Sequence, residues 1–390
     1  MDDPTDNAPP LVYVVAGEQS GDLLGARLMA ALRAGGRALR FGGVGGPRMQ
    51  EQGLQSLFPM QELAVMGLVE VLPRIRLLRR RLAETAADIL AQRPGVVVTI
   101  DSPGFNLRLL RKLQSSGLRR VQYVAPQVWA WKEKRVRSFP GLWERLLCLF
   151  PFEPTFFALH GLDATFVGHP VLQSGVDAGD AARFRATHGI DAAAPVLILM
   201  PGSRRSEIAR LLPIFRATLA ELASGMPGLV PVIPAASAVA GALDEACASW
   251  PVAPLILRDL ADKHDAYAAA AAALTKSGTS TLELALAGVP MAVTYRVNPV
   301  SAMLAARMLR VPHVAMVNIL AGREVVPELL QSDCTPPKLA ATVLRLLGDA
   351  DAAAAQRAAF REMRAQLAAP SGTPAEAAAR AVLDLLDSRN

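Results

Sequence analysis

Cysteine is scarce in this chain: Cys148, Cys247 and Cys334 are odd in number and far apart, which excludes a disulfide framework and any CxxC metal knuckle. The five histidines show no HxxxH spacing, so no metal site is expected. Apolar runs of membrane-span length are missing too. The longest candidate, residues 266–274, is mostly alanine, too short to span and too weakly apolar to anchor. The opening MDDPTDNAPP lacks the basic and apolar regions of a signal peptide, so a cytoplasmic placement is expected. Charged residues are only 19% of the 390 against 52% hydrophobic, the balance of a globular protein with room for two domains, each with its own core.

What charge there is leans positive. A net charge of +6 and a pI near 9.5 point toward an anionic partner. Its distribution favours a membrane surface over nucleic acid: five arginines fall within the eight residues from Arg74 to Arg81, alternating with Ile75, Leu77 and Leu78. Leu68, Val71, Leu72, Ile75, Leu78 and Leu82 fall on one face at helical spacing, with Pro73 as a start or a kink. Such a helix suits a bilayer interface, its apolar residues below the headgroups and its arginines on the phosphates. It equally suits a surface helix packed on its own domain.

The rest reads as a repeated strand, turn and helix. Leu11 to Ala16 is an apolar run of strand length followed by GEQSGDLLGARLMAALR. The glycines there are not those of GxGxxG, and Glu18 stands where a pyrophosphate should lie, so a nicotinamide or flavin dinucleotide is not expected. Glu18 and Asp22 could hold sugar hydroxyls or stabilise the first helical turn. Val96 to Asp101 is a strand ending in a carboxylate, placed either for chemistry at a sheet's carboxyl edge or as a helix cap. Trp129 and Trp131, beside Lys132, Lys134 and Arg135, could grip a sugar or phosphate or form a packed loop with a basic rim. A glycine- and proline-rich stretch from Gly168 to Asp180 reads as a linker, after which the strand-helix rhythm restarts. Pro201 to Arg204 and Ser277 to Thr281 then form two strand-to-helix turns, one with a guanidinium and one of five small residues. Together they suit a nucleotide diphosphate. On the second, Ser280 and Glu283 have the spacing of a capping box, and Glu283 could also accept both hydroxyls of a ribose. Asp349 and Asp351 form a DxD between helices, read as a cap.

The motifs GEQSGDLLGA, GVGGPRM, MGLVEVLPRI, IDSPGFN, YVAPQVWAWKEKR, LFPFEP, FVGHPV, MPGSRRSEI, KSGTSTLELAL and NILAGREVVPELLQ, in this order, resemble the lipid-A-disaccharide synthase family over most of the chain. The resemblance implies an α/β GT-B glycosyltransferase of two Rossmann-like parallel-sheet domains with the active site in the crevice between them. Residues 1–170 would form the acceptor and membrane-binding domain and residues 171–345 the donor domain, with helices from 346–390 packing back on the first. It implies transfer of 2,3-diacylglucosamine from its UDP derivative to 2,3-diacylglucosamine 1-phosphate, lipid X, with inversion, and without metal or cofactor. Asp101 and Arg204 are then the expected catalytic residues, with Asp101 as base. Family members often carry a second carboxylate at the place of Gly104, so Asp101 is the sole carboxylate of this loop. UDP would be held by Arg204, Ser277, Gly278, Thr279, Ser280, Glu283, Asn318 and Glu324, and the acceptor by Glu18, Ser20, Asp22, Trp129 and His169, the last of which also fits a structural role. Leu68, Val69, Leu72, Arg74, Ile75, Arg76, Arg79 and Arg80 would meet an anionic membrane, peripherally at the inner face of the inner membrane. No nucleic-acid partner is expected, and a homodimer is left open. The alternatives are another UDP-sugar enzyme of this fold, such as an undecaprenyl-linked N-acetylglucosaminyltransferase or a UDP-N-acetylglucosamine 2-epimerase, or a peripheral protein that senses UDP-sugars.

Overall fold

The computed structural model describes residues 9–63, 68–235, 239–298, 302–303, 308 and 310–388, with the side chains of residues 68–73 left out. The chain divides into two compact units, one built from residues up to Pro170 and from Leu367 onward, the other from Val171 to Gln366.

The first unit is a seven-stranded sheet in the order β3-β2-β1-β4-β5-β6-β7, with every pairing parallel. Its strands are β1 (Leu11–Ala16), β2 (Arg40–Val44), β3 (Gln55–Ser56), β4 (Val96–Ile100), β5 (Arg120–Tyr123), β6 (Arg145–Cys148) and β7 (Ala164–Phe166). Val12, Tyr13, Val14 and Val15 are wholly buried, as a central parallel strand covered on both faces requires. Gly43 has φ +137°, and a Cβ there would lie 1.9 Å from the Val14 carbonyl oxygen, so β2 can pair with β1 at this point only through glycine.

The second unit repeats the plan with six strands in the order β10-β9-β8-β11-β12-β13, again all parallel. They are β8 (Val196–Met200), β9 (Val230–Pro234), β10 (Leu255–Leu257), β11 (Ala270–Lys276), β12 (Met291–Tyr295) and β13 (Glu328–Leu330). Its core joins Leu197, Leu199 and Leu274 of the sheet to Leu211, Phe215 and Leu219 of the helix Arg205–Gly225. In each sheet the strand order reverses once, between β1 and β4 and between β8 and β11. Open parallel sheets bind ligands outside the carboxyl ends of the strands at such a reversal.

Each sheet thus directs attention to two loops: those after β1 and β4, and those after β8 and β11. The C-terminal helices are divided between the units. Gln356, on the helix Ala350–Leu367, accepts from the Met291 amide at 2.8 Å and donates to its carbonyl at 3.1 Å, while the helix Pro374–Asp387 belongs to the first unit. Pro73 lies inside the helix Leu68–Gln92 rather than at its start. Among the described residues no helix is long and apolar enough to cross a membrane.

Candidate active site

In the second unit a cavity of about 330 Å³ opens at the carboxyl ends of β8, β9, β10 and β11. Its lining includes Ser277, Gly278, Thr279 and Ser280 after β11, Gly202 and Ser203 after β8, and the ammonium-bearing side chains of Lys263 and Lys276. The helix after this turn, Ser280–Leu286, has only seven residues, so its macrodipole is small and the turn's own amides and the two lysines supply the positive potential. Ser277 anchors the turn: its hydroxyl donates to the Val314 carbonyl at 2.8 Å and its amide to Thr294 at 3.1 Å. The expected capping box is not formed. Thr279, not Ser280, is the N-cap, it makes no side-chain cap, and Glu283 instead pairs with Lys263 at 2.7 Å. Gly288, with φ +72°, ends the segment in the left-handed conformation, as its place before Val289 and Pro290 requires.

The turn after β8 is built around one buried carboxylate. Glu207 is 8% exposed and accepts from the Ser203 amide at 3.2 Å, from Arg204 Nη1 at 3.3 Å and from Lys276 Nζ at 2.9 Å. Gly202 has φ +121°, and a Cβ on it would come within 2.4 Å of the Glu207 carboxylate. Arg204 itself stands beside this group, its side chain 59% exposed. Sequence reasoning missed Glu207, Lys263 and Lys276. For Lys276 the signal was present, a cation next to the small-residue turn. Lys263 comes from a separate helix, Leu260–Ala269, and carries no local pattern.

Two donor candidates lie elsewhere. Asn318 is not among the residues lining the cavity: it is wholly buried, donates to the Val326 carbonyl and to Glu328 at 2.9 and 2.8 Å, and accepts from the amides of Val325 and Val326. Its hydrogen-bonding capacity is spent on three backbone groups and the Glu328 carboxylate. Glu324 is exposed and does not line the cavity.

In the first unit, Asp101 and Ser102 follow β4 with φ +48° and +43°, a conformation that non-glycine residues rarely hold. Burial raises the Asp101 carboxyl above the usual carboxylate range, opposed by a hydrogen bond from the Ser102 amide. Gly17, at the end of β1, packs against Ser102: a Cβ on it would lie 2.5 Å from Ser102 Oγ. Glu18 follows, half-buried, and Ser20 is exposed in the first turn of the helix Gln19–Ala34.

Three expected acceptor contacts have other surroundings. Asp22, 3% exposed, accepts from the amides of Gly46, Arg48 and Met49 at 2.8, 3.1 and 3.0 Å and so fixes the glycine loop after β2. Trp129 is 8% exposed, its indole N–H donating to Glu153 at 3.0 Å and its ring edge-on to Phe150 and Phe152. The tryptophan that reaches the surface is Trp131, 44% exposed, with Lys132 Nζ 3.9 Å from its ring centroid. His169 is buried against Phe150, and burial pushes its pKa down to about 4, so it is neutral at pH 7.

Along the helix Leu68–Gln92, Arg74, Ile75, Arg76, Arg79 and Arg80 are exposed. Arg81 is not: it is held by Glu62 at 2.7 Å and Glu84 at 2.6 Å and lies over the Phe58 ring. The side chains of Leu68, Val69 and Leu72 lie outside the described residues. Among the described residues no group of three or more His, Cys, Asp or Glu is arranged to hold a metal.

Solved structures share this architecture. A UDP-GlcNAc 2-epimerase from Neisseria meningitidis bound to UDP-GlcNAc superposes with a TM-score of 0.62 at 11% identity, covering 96% of this chain and 99% of that one. The glycosyltransferase of kitacinnamycin gives 0.61 at 18% identity over 97% and 99%. At these identities the likeness establishes the fold, two Rossmann-like parallel-sheet units of the GT-B class. Sequence relatives are far more similar. The lipid-A-disaccharide synthase of Gluconobacter oxydans is 61% identical over 97% of this chain and 91% of its own, and that of Granulibacter bethesdensis 59% over 97% and 99%. That of Pseudomonas aeruginosa is 45% identical over 87% and 89%. The family profile described as lipid-A-disaccharide synthetase matches residues 12–382, and with the two parallel sheets and these relatives it establishes that the chain belongs to that family.

Proposed function

We propose that the protein transfers 2,3-diacylglucosamine from UDP-2,3-diacylglucosamine to the 6-hydroxyl of 2,3-diacylglucosamine 1-phosphate, giving the β-1',6 disaccharide 1-phosphate and UDP. The observation that carries this reading, beside family membership, is the cavity at the carboxyl ends of β8 to β11, where amides of a small-residue turn meet Lys263 and Lys276. Charge develops on the diphosphate as the anomeric C–O bond breaks, and fixed N–H groups and ammonium ions stabilise it there. Arg204, held next to Lys276 through Glu207, adds a guanidinium to the same region. Glu283 takes the ribose hydroxyls, held in place by Lys263.

Asp101 removes the proton from the acceptor hydroxyl as that oxygen attacks the anomeric carbon, so the configuration inverts. Burial raises its carboxyl above its ordinary value, which strengthens it as a base. Both sugars carry acyl chains, and the arginines of the helix Leu68–Gln92 bring the protein to the anionic inner face of the inner membrane as a peripheral protein. Incubating the purified protein with both acylated substrates should yield UDP and disaccharide in equal amounts. Binding without UDP release would leave a sensor, and conversion of UDP-N-acetylglucosamine to its 2-epimer would leave an epimerase.

A further inference from the structure

Backbone strain in the first unit is concentrated at the ends of two neighbouring strands. Asp101 and Ser102 after β4 share the left-handed region with Val124 after β5, at φ +75°. For a β-branched residue that conformation is an outlier, and it persists only where the surroundings over-determine it. Two buried side chains grip the carbonyls here, Gln122 and Asn106. Gln122, on β5 and 1% exposed, directs its Nε2 at three carbonyl oxygens: Val124 at 3.1 Å, Tyr123 at 3.3 Å and Asp101 at 3.4 Å. Its other end is fixed by the wholly buried Thr99, whose hydroxyl donates to Gln122 Oε1 at 2.7 Å. That bond orients the carboxamide, because the acceptor end must face the hydroxyl proton. Asn106 Nδ2 also donates to the carbonyls of Ile100 and Asp101, at 2.9 and 2.8 Å.

We propose that Gln122 is a positioning residue for Asp101: by clamping the carbonyls of both strand ends it holds Asp101 in the left-handed backbone conformation that aims its carboxyl at the acceptor. The inference rests on Asp101 as the base. A left-handed residue turns its Cα–Cβ bond out of the alternation of a strand, so the direction of the Asp101 side chain depends on φ being kept at +48°. Gln122 acts through that backbone alone, with Thr99 setting the amide and Asn106 completing the grip on the Asp101 carbonyl.

Gln122→Met keeps the volume and removes the donors. Misaiming a base by a fraction of an ångström to an ångström costs up to about 10²-fold, so kcat should fall by about ten- to a hundredfold. KM for the UDP-sugar and the affinity for UDP, whose proposed site lies in the second unit, should stay within about twofold, since ground-state binding is untouched. Thr99→Val should show a smaller fall of the same kind, and Thr99→Ser, which retains the hydroxyl, should restore kcat. Should Gln122→Met fail to fold, the Thr99 pair decides the matter. Wild-type kcat in Gln122→Met, or equal rates in Thr99→Val and Thr99→Ser, overturns the clamp. Full activity in Asp101→Asn overturns the base assignment on which the clamp depends. An inactive Asp101→Asn beside an unimpaired Gln122→Met overturns the clamp alone.

Discussion

At the scale of single residues, burial sets how the carboxyls and the imidazole respond to pH. As the proposed base, Asp101 would have to be ionised to take a proton, and burial raises its carboxyl, so kcat should fall with pH at a value above the ordinary one for Asp. Asp101→Asn should lower kcat by about 10² to 10⁴ while UDP affinity, measured by calorimetry, stays unchanged. Two other buried groups act on stability instead. Glu153 accepts from the Trp129 indole and from the amides of Leu149 and Phe150, yet burial outweighs these bonds and raises it to about 7. A raised acid favours the folded state below its unfolded pKa, and that advantage is lost as pH rises to about 7, worth about 3 kcal/mol. His169 has the opposite sign. Lowered to about 4, it favours folding above its unfolded pKa and loses about 3 kcal/mol as pH falls to that value. The two slopes nearly cancel between pH 5 and 6 by this arithmetic. Glu153→Gln should expose the histidine slope, with urea midpoints that rise from about pH 4 to 6.5. A midpoint flat over that range in the variant would contradict the assignment.

At the scale of elements, the strands were legible wherever an apolar run was continuous. Leu11–Ala16 and Val196–Met200 read directly from the sequence, because a strand buried on both faces carries no polar alternation to confuse it. The strand read from Val96 to Asp101 is one residue shorter: β4 stops at Ile100, where the chain turns left-handed at Asp101. Polar motif residues were the least legible part of the site. Asp22 and Asn318 belong to conspicuous motifs, but Asp22 is met by the backbone amides of Gly46, Arg48 and Met49, beyond an intervening strand in the chain, and Asn318 by the backbone of Val325 and Val326 and the Glu328 carboxylate. Nothing in local sequence separates a carboxylate that faces amides from one that faces a ligand. Lys263 was invisible for the converse reason, since its partner Glu283 lies on another helix. The same limit applies to capping: the box forms at Thr373 and Glu376, with Pro374 opening the helix, and not at Ser280 and Glu283. On the helix Leu68–Gln92, the exposed Arg74, Arg76, Arg79 and Arg80 should each contribute about 1 kcal/mol on an anionic bilayer. Reversing all four to glutamate should abolish sedimentation with phosphatidylglycerol vesicles, whereas Arg81→Gln, which breaks the contacts to Glu62 and Glu84, should lower stability more than vesicle binding.

At the scale of the whole molecule, the chain completes the first unit, builds the second, and returns to the first only with its last residues. The returning helix Pro374–Asp387 buries Ala375, Ala377, Ala378, Ala379, Ala381, Val382 and Leu386, mostly small side chains that allow close approach. Leu386 packs where a Cβ on Gly95 would stand, its carbonyl accepts from Arg119 at 2.8 Å, and Asp387 pairs with Arg37. Burying Val382 and Leu386 alone is worth about 1.5 to 3 kcal/mol each, against a stability for an ordinary domain of about 5 to 15 kcal/mol. Ending the chain after Leu367 should therefore leave the first unit marginal. The core of the second unit, centred on Leu199, Phe215 and Leu274, includes no residue beyond that point. Calorimetry of the truncated protein should lose or shift down one transition and keep the other. UDP at about a hundred times its dissociation constant should stabilise the surviving transition by about 2.7 kcal/mol if, as proposed, the nucleotide binds only the folded unit that carries the cavity. A truncated protein that melts as the full chain does would show that the first unit stands without its last helix. A surviving transition indifferent to UDP would remove the nucleotide from the Ser277 to Ser280 turn.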